Sequence, residues 1–280
     1  MDSDEIAVFA ISVLAAVWGT DRASVAWLHR LFFRGNAALG LVRLAVLGAM
    51  LWIAFVLWQF ADPSVTGIYV FFYLVLGYAV TTAFGLQAGA IFGPRLRVDV
   101  YERKNLAAGV FIAAFALATA MIFGGSLWGE ADPEGGGEGG WWIPLGFFVL
   151  GWSILMLAVA LYLRGERGSF RVNVRQNRRF EDAQALSVYI LGVAVVVTEA
   201  VAGDFFGWRH GLASLGAVIV MLVIHELAVA RLPGLPTTAE TPAQVARSRR
   251  LFESAAYALL AVGFWVMHRV LDRWTGELAA

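Results

Sequence analysis

The chain contains no cysteine, and only one of its 21 basic residues, Lys104, is a lysine. Without cysteine the protein can form no disulfide, no thiolate metal site and no cysteine nucleophile. Lys104 stands at the edge of an apolar run, whereas a retinal Schiff base needs a lysine in the middle of a span. A rhodopsin is therefore excluded.

Charge of either sign is also scarce. Charged residues make up 15% of the 280 residues and hydrophobic residues 60%, whereas a soluble domain carries about 25% charge. Apolar runs near the length of about 20 residues that a bilayer-spanning helix needs recur along the chain. This composition predicts an all-α, polytopic transmembrane helix bundle that forms one membrane domain over residues 1–280. Residues 1–5 are acidic and lack the basic start of a signal peptide, so we expect the first apolar run to be retained.

Catalytic and cofactor motifs are missing as well. There is no phosphate-binding loop, no HExxH zinc motif and no GxSxG elbow, and the glycines at 135–140 are flanked by carboxylates, which repel phosphate. His225 and His268 differ in predicted depth by roughly 15 Å, too much for both to ligate one haem iron. We expect no enzymatic activity, no metal, no cofactor and no nucleic-acid partner.

What the chain does contain is a repeated basic segment between apolar runs. The segment RVDVYERK at residues 97–104 returns 74 residues later as RVNVRQNR at residues 171–178. We name four basic segments joint 1 (19–36), joint 2 (94–104), joint 3 (164–182) and joint 4 (231–250). Their regular spacing predicts about eight spans, arranged as four pseudo-repeated hairpins at approximately 5–61, 65–128, 141–207 and 211–272.

The distribution of basic residues predicts the orientation. The four joints hold three, four, six and four Lys or Arg residues, whereas the loops at 62–64, 129–140 and 208–210 hold none, none and one. Because Lys and Arg accumulate in cytoplasmic loops, we expect all four joints to be cytoplasmic and the glycine-rich loop to lie outside. Residues 6–18 are short for a span, so seven spans with an interfacial N-terminal helix is the alternative.

The tandem joints show a family resemblance. The basic joint that runs into Asn105-Leu106-Ala107-Ala108-Gly109 resembles the bacterial domain-of-unknown-function 350 family, over roughly residues 67–207. That family consists of inner-membrane proteins whose two-helix domain usually occurs in tandem. The resemblance implies a bacterial inner-membrane repeat protein and implies no reaction or ligand. The third copy departs from the pattern, since Arg179 stands where Asn105 does.

Ionisable residues inside the predicted spans are the candidate functional residues, because they are costly to bury in a membrane. They are Arg43, Glu199, Asp204, His225, Glu226 and His268. Arg43 matches Glu226 in depth and Glu199 matches His268, which predicts two ties between helices that avoid isolated buried charges. The alternative is that Glu199, His225 and Glu226 line a path for protons or cations.

Joint 3 is the most basic segment of the chain. We expect its arginines, Arg171, Arg175, Arg178 and Arg179 among them, to contact anionic membrane lipids or an acidic cytoplasmic protein partner. The favoured interpretation is a structural or interaction protein without enzymatic activity. An ion- or proton-conducting channel or transporter is the alternative, but the sequence shows few of the broken mid-membrane helices that best indicate a transport site.

Overall fold

The computed structural model describes residues 3–24, 35–61, 65–128, 140–165, 169–202, 208–230, 251–267 and 270, which form helices and no strand. This confirms the predicted all-α class. The helices are α1 (Ser3–Ser24), α2 (Ala37–Gln59), α3 (Ile68–Phe92), α4 (Leu96–Glu102), α5 (Leu106–Ser126), α6 (Trp142–Gly165), α7 (Ser169–Arg175), α8 (Phe180–Val201), α9 (Trp208–Ala230) and α10 (Leu251–Met267).

Six of these helices, α1, α2, α3, α5, α6 and α8, are long and apolar enough to cross a membrane. The chain is therefore a multipass membrane protein. The prediction of eight spans exceeds this number: the last two correspond to shorter apolar helices, Leu212–Ala228 within α9 and Leu251–Met267. The first apolar run, short at residues 6–18, is part of a 22-residue helix that begins with the acidic residues Asp4 and Glu5 in its first turn. Acidic side chains stabilise that end of a helix.

Helices α5 and α8 form the centre of the bundle. In each of them 78% of the residues in the most apolar 18-residue stretch are buried, compared with 11% in α1. Helix α5 packs against both α2 and α8. Glycines allow this close approach. A Cβ on Gly109 would lie 2.9 Å from the Ala38 Cα, and one on Gly125 would lie 2.7 Å from the Thr198 carbonyl oxygen. Small residues at such contacts let membrane helices pack backbone to backbone.

Large apolar side chains remain exposed on the outer helices. Leu44, Leu47 and Leu51, which are spaced along one face of α2, are 65%, 55% and 62% exposed, and Leu157 on α6 is 61% exposed. Contiguous apolar surface of this kind is uncommon on soluble proteins. In a bilayer it faces the lipid chains.

Helix α3, the first helix of the hairpin predicted at 65–128, is irregular at its centre. Residues Thr81–Gly85 adopt a π-helical turn, and the hydroxyls of Thr81 and Thr82 each donate to a carbonyl four residues earlier at 2.8 Å. Threonine bonds of this type bend helices. The turn packs against α5.

Joint 2 contains α4, which is a short π-helix, and joint 3 contains the short α-helix α7; a sharp turn follows each of them. In each joint the residue that ends the turn is a non-glycine residue in the left-handed conformation, Lys104 and Arg178, both with φ 52°. The two positions are 74 residues apart (178 − 104 = 74), which is the offset of the repeated segment. The two joints therefore share this backbone feature.

Candidate functional site

A buried group of polar side chains lies where α6, α8, α9 and α10 meet. We call it the polar cluster; its members are Tyr162, Tyr189, His225, Glu253 and Tyr257, each at most 1% exposed. Tyr162 lies three residues before the end of α6, the helix that leads into joint 3. The cluster therefore lies toward the end of the bundle that carries the joints.

Three groups converge on one oxygen of Glu253. The hydroxyls of Tyr162 and Tyr257 donate to Oε1 at 3.0 and 3.3 Å, and His225 Nε2 lies 3.5 Å from the same oxygen. Tyr257 follows Glu253 by four residues, so the helix itself places both on one face. Tyr162 and His225 come from α6 and α9, so a single carboxylate joins three helices.

The aromatic rings surround this carboxylate. The ring centroids of Tyr162 and His225 are 3.9 Å apart, those of Tyr162 and Tyr189 4.8 Å, and those of Tyr189 and Tyr257 5.0 Å. Such packing excludes water, and the low local dielectric strengthens the hydrogen bonds inside. The buried Tyr189 hydroxyl has no hydrogen-bond partner among the residues that the structure describes.

The cluster places one carboxylate and one imidazole in contact. A carboxylate and an imidazole in contact can exchange protons with each other and with water. Across the described ranges, no group of three or more His, Cys, Asp or Glu side chains could hold a metal ion.

A second network, which we call the Asp99 network, connects joints 2 and 3. The carboxylate of Asp99 on α4 is completely buried and accepts hydrogen bonds from the Arg95 backbone N–H at 2.8 Å and from Arg175 Nε at 3.0 Å. Arg103 Nη1 lies 3.5 Å away. Arg175 belongs to α7, so the buried charge is paired with a cation from each joint, as its burial requires.

Arg171 of α7 binds the end of α3. Its Nε and Nη2 donate to the carbonyls of Phe92 and Ile91, both at 3.1 Å. The last carbonyls of a helix have no partner within the helix, and a cation there also complements the helix dipole. Gly93 follows with φ 131°, and a Cβ there would lie 2.9 Å from Arg171 Cγ, so glycine leaves room for the arginine.

Two asparagines connect successive joints in the same way, and we call these contacts the asparagine clasps. Asn105 Oδ1 caps the first turn of α5 while its Nδ2 donates to the Val174 carbonyl at 2.7 Å. Asn36 caps α2 and donates to the Val100 carbonyl at 3.0 Å. The two acceptors are again 74 residues apart (174 − 100 = 74). At the third equivalent position, Arg179, no side chain caps the helix.

The structure does not bring Arg43 and Glu226 together, which corrects the first predicted tie. Arg43 is half-buried on α2, which packs against α5 and α3, whereas Glu226 is exposed on α9, which packs against α8 and α6. No ion pair joins these two described residues. Equal depth in the membrane does not place two helices side by side.

The remaining predicted residues have mixed outcomes. Glu199 is 6% exposed on α8, but its predicted partner His268 lies outside the described residues, as does Asp204, so this tie stays a prediction. His225 is completely buried in the polar cluster. The sequence prediction missed Glu253, which stands near the start of the last apolar run. Its spacing of four residues from Tyr257 was the signal that could have revealed it.

The four arginines predicted to bind lipid or a partner divide into two pairs. Arg171 and Arg175 make the internal contacts described above, with the end of α3 and with Asp99. Arg178 and Arg179 are exposed. Only the second pair is available to bind a lipid headgroup or an acidic partner without breaking a contact of the fold.

An apolar cavity of about 620 Å³ opens between α1, α2 and α3. Its walls include Val13, Met50 and Phe71, and a hydrogen bond of 2.9 Å joins Thr20 and Tyr78 at its edge. Neither the polar cluster nor the two glutamates of the predicted ion path line it. The cavity therefore does not connect the candidate ionisable residues.

No protein-family model, no curated protein and no solved structure matches this chain. The resemblance to the domain-of-unknown-function 350 family stays a prediction.

Proposed function

We propose that this multipass membrane protein has a structural or interaction role without enzymatic activity, and that its joints bind anionic lipid headgroups at the cytoplasmic face of a bacterial inner membrane. The observation that carries the proposal is the 3.0 Å bond between Arg175 and Asp99. Because it fixes joint 2 against joint 3, the exposed cations of both joints belong to one surface. They are Arg95, Arg97, Arg103, Lys104, Arg164, Arg178 and Arg179, together with Arg171, which is also exposed but is bound to the end of α3.

The position of this basic surface suits a lipid headgroup. The joints follow directly on the ends of spanning helices, so their cations lie at headgroup depth. A Lys or Arg near an anionic leaflet contributes about 1 kcal/mol of attraction. Glu102 lies 3.7 Å from Arg97 and offsets part of that charge, but both side chains are more than half exposed and an exposed pair is weak.

The test is lipid-specific thermal stabilisation of the full chain in detergent. Phosphatidylglycerol should raise the melting temperature more than phosphatidylcholine, and the difference should shrink as salt screens the charges over about 8 Å. The double variant Arg178→Gln with Arg179→Gln should reduce the difference. Arg171→Gln is the matched control: it removes an internal contact and should lower stability equally in both lipids.

Equal stabilisation by both lipids, or a difference that salt does not change, would overturn the lipid proposal. A shift produced by soluble polyglutamate but not by phosphatidylglycerol would instead assign the surface to an acidic protein partner.

A second candidate function is a proton or cation pathway, and one observation favours it: the completely buried His225 lies 3.5 Å from the completely buried Glu253. Glu226, which was predicted to line the path, is exposed, so Glu253 takes its place beside His225. Flux in proteoliposomes that disappears in Glu253→Gln would support the pathway. Absence of flux in the wild type would overturn it.

A further inference from the structure

We infer that the polar cluster is a proton-binding site in which Glu253 and His225 share one exchangeable proton. The ligand is a proton taken from water, and the site depends neither on lipid binding by the joints nor on flux across the membrane. The geometry of the pair suits a shared proton. The Tyr162 and Tyr257 hydroxyls lie 3.0 and 3.3 Å from Glu253 Oε1, and His225 Nε2 lies 3.5 Å from the same oxygen.

Cohesion between helices does not by itself explain the cluster. Replacing a buried ionic group by apolar side chains of similar volume is often neutral or stabilising. Ionisable residues in membrane spans usually mark proton or ion sites. The completely buried carboxylate and imidazole therefore indicate a role that apolar residues could not perform.

The chemical step moves one proton and no electrons. In the deprotonated state Glu253 is a carboxylate, His225 is neutral, and the pair carries a net charge of −1. Uptake of one proton forms a new N–H or O–H bond and leaves the pair neutral, either as imidazolium beside carboxylate or as imidazole beside carboxylic acid. The tyrosine hydroxyls donate to the carboxylate oxygen and so support the charged state.

The titratable groups that face the pair come from every helix packed around it. Among the residues that the structure describes, they are Tyr162 from α6, Tyr189 from α8 and Tyr257 from α10. The neighbouring carboxylate Glu226 is exposed on α9. The arginines of joint 4 that precede α10 in the sequence lie outside the described residues.

The cluster lies close to the joint end of the bundle. Tyr162, which donates to Glu253, lies three residues before the end of α6, or about 4.5 Å along the helix. Glu199 is buried too, but it lies ten residues beyond Tyr189 on α8, or about 15 Å farther from the joints. The polar cluster thus lies nearer to the joints than Glu199 does, and we expect its proton to exchange from the joint side.

Infrared difference spectroscopy of the full chain in liposomes tests this site, because protonated carboxyl and imidazolium groups absorb separately. Between acidic and alkaline samples the wild type should show a protonation signal from one of the two partners. Glu253→Gln should abolish that signal, and Glu226→Gln, which removes the adjacent exposed carboxylate, should leave it intact. A wild-type spectrum without such a signal, or one that Glu253→Gln leaves unchanged, would overturn the proposal.

Two conservative variants keep the test informative if Glu253→Gln does not fold. Tyr162→Phe removes a donor to the carboxylate and should shift the midpoint of the protonation signal. Tyr189→Phe removes a hydroxyl of the same cluster that has no described bond to Glu253, and should shift it less. Equal midpoints in wild type and Tyr162→Phe would overturn the site, whereas a signal without flux would retain it and reject only the pathway.

Discussion

Tyr162 and Tyr189 are neighbouring buried tyrosines whose hydroxyl groups differ in hydrogen bonding. Their ring centroids are 4.8 Å apart and both side chains are at most 1% exposed. The Tyr162 hydroxyl donates to Glu253 at 3.0 Å, whereas no described residue accepts from the Tyr189 hydroxyl. A buried hydroxyl without a partner costs about 1–3 kcal/mol in desolvation. The same deletion should therefore have different effects at the two positions.

We expect Tyr162→Phe to lower the free energy of unfolding by about 1.5–3 kcal/mol, the value of a hydrogen bond to a charged group. Tyr189→Phe should leave the stability unchanged or raise it. Reversible unfolding in mixed micelles, followed by tryptophan fluorescence, measures both. Equal losses in the two variants would show that an acceptor satisfies the Tyr189 hydroxyl.

Asp99 allows a second comparison within joint 2. Asp99→Asn keeps the shape but removes the charge that pairs with Arg103 and Arg175, whose side chains are 48% and 31% exposed. We expect a loss of about 1.5–3 kcal/mol, below the 3–5 kcal/mol of a fully buried pair, since the arginines reach solvent. The same micelle unfolding assay measures this loss.

Glu102→Gln is the matched control for Asp99→Asn, because Glu102 forms an exposed pair with Arg97 at 3.7 Å in the same joint. Its loss should not exceed about 1 kcal/mol. If both variants lose the same small amount, the Asp99 network does not hold the two joints together, and the continuous basic surface loses its support.

At the level of elements, the asparagine clasps combine two tasks in one side chain. Asn105 is 1% exposed, caps α5 with Oδ1 and binds joint 3 with Nδ2. Asn105→Asp keeps a good cap but loses the donor and brings a carboxylate toward the Val174 carbonyl. Asn105→Ser also keeps a cap, without adding a charge.

We expect Asn105→Asp to destabilise the protein more than Asn105→Ser, although aspartate caps helices at least as well as serine does. Asn36→Asp and Asn36→Ser should follow the same order, because Asn36 makes the equivalent bond to Val100 at 3.0 Å. Melting temperatures of the four variants decide this. Equal stability of the aspartate and serine variants would mean that capping alone matters at these positions.

The helices themselves could be predicted because a run of about 20 apolar residues in lipid must satisfy its backbone internally. The starts of α2 and α5 could also be predicted, since Asn36 and Asn105 stand before their apolar runs and cap them. The central position of α5 could not. Hydropathy gives the same value to a side chain that faces lipid and to one that faces protein.

The polar cluster could not be predicted for a related reason. Tyr162, Tyr189 and Tyr257 count among the apolar residues of a span, so nothing in a hydropathy pattern indicates that their hydroxyls converge on one carboxylate. A depth argument could not select Glu253 as the partner of His225, because the choice depends on which helices are adjacent.

At the scale of the whole molecule, the N-terminal helix begins at the end of the bundle opposite the joints. Asp4 accepts a hydrogen bond from Trp141 Nε1 at 3.0 Å, and Glu5 accepts one from the Tyr69 hydroxyl at 3.1 Å. Trp141 precedes α6 and Tyr69 lies in the first turn of α3, and both helices end at joints. The start of α1 is therefore placed with the starts of α3 and α6.

This arrangement leads to a topology prediction. It can be tested with single introduced cysteines, because the chain has no cysteine of its own. Single cysteines introduced at Ser3 and at Gly136 should react with a membrane-impermeant maleimide added to intact cells, whereas one at Gly168 in joint 3 should react only after the cells are opened. The positive-inside rule places the joints in the cytoplasm, and α6, with 24 residues, separates Gly136 from Gly168. Labelling of Gly136→Cys and Gly168→Cys from the same side would contradict the topology on which the lipid proposal depends. If Gly136→Cys labels outside and Ser3→Cys labels only in opened cells, α1 does not cross the membrane, and seven spans with an interfacial N-terminal helix replace eight.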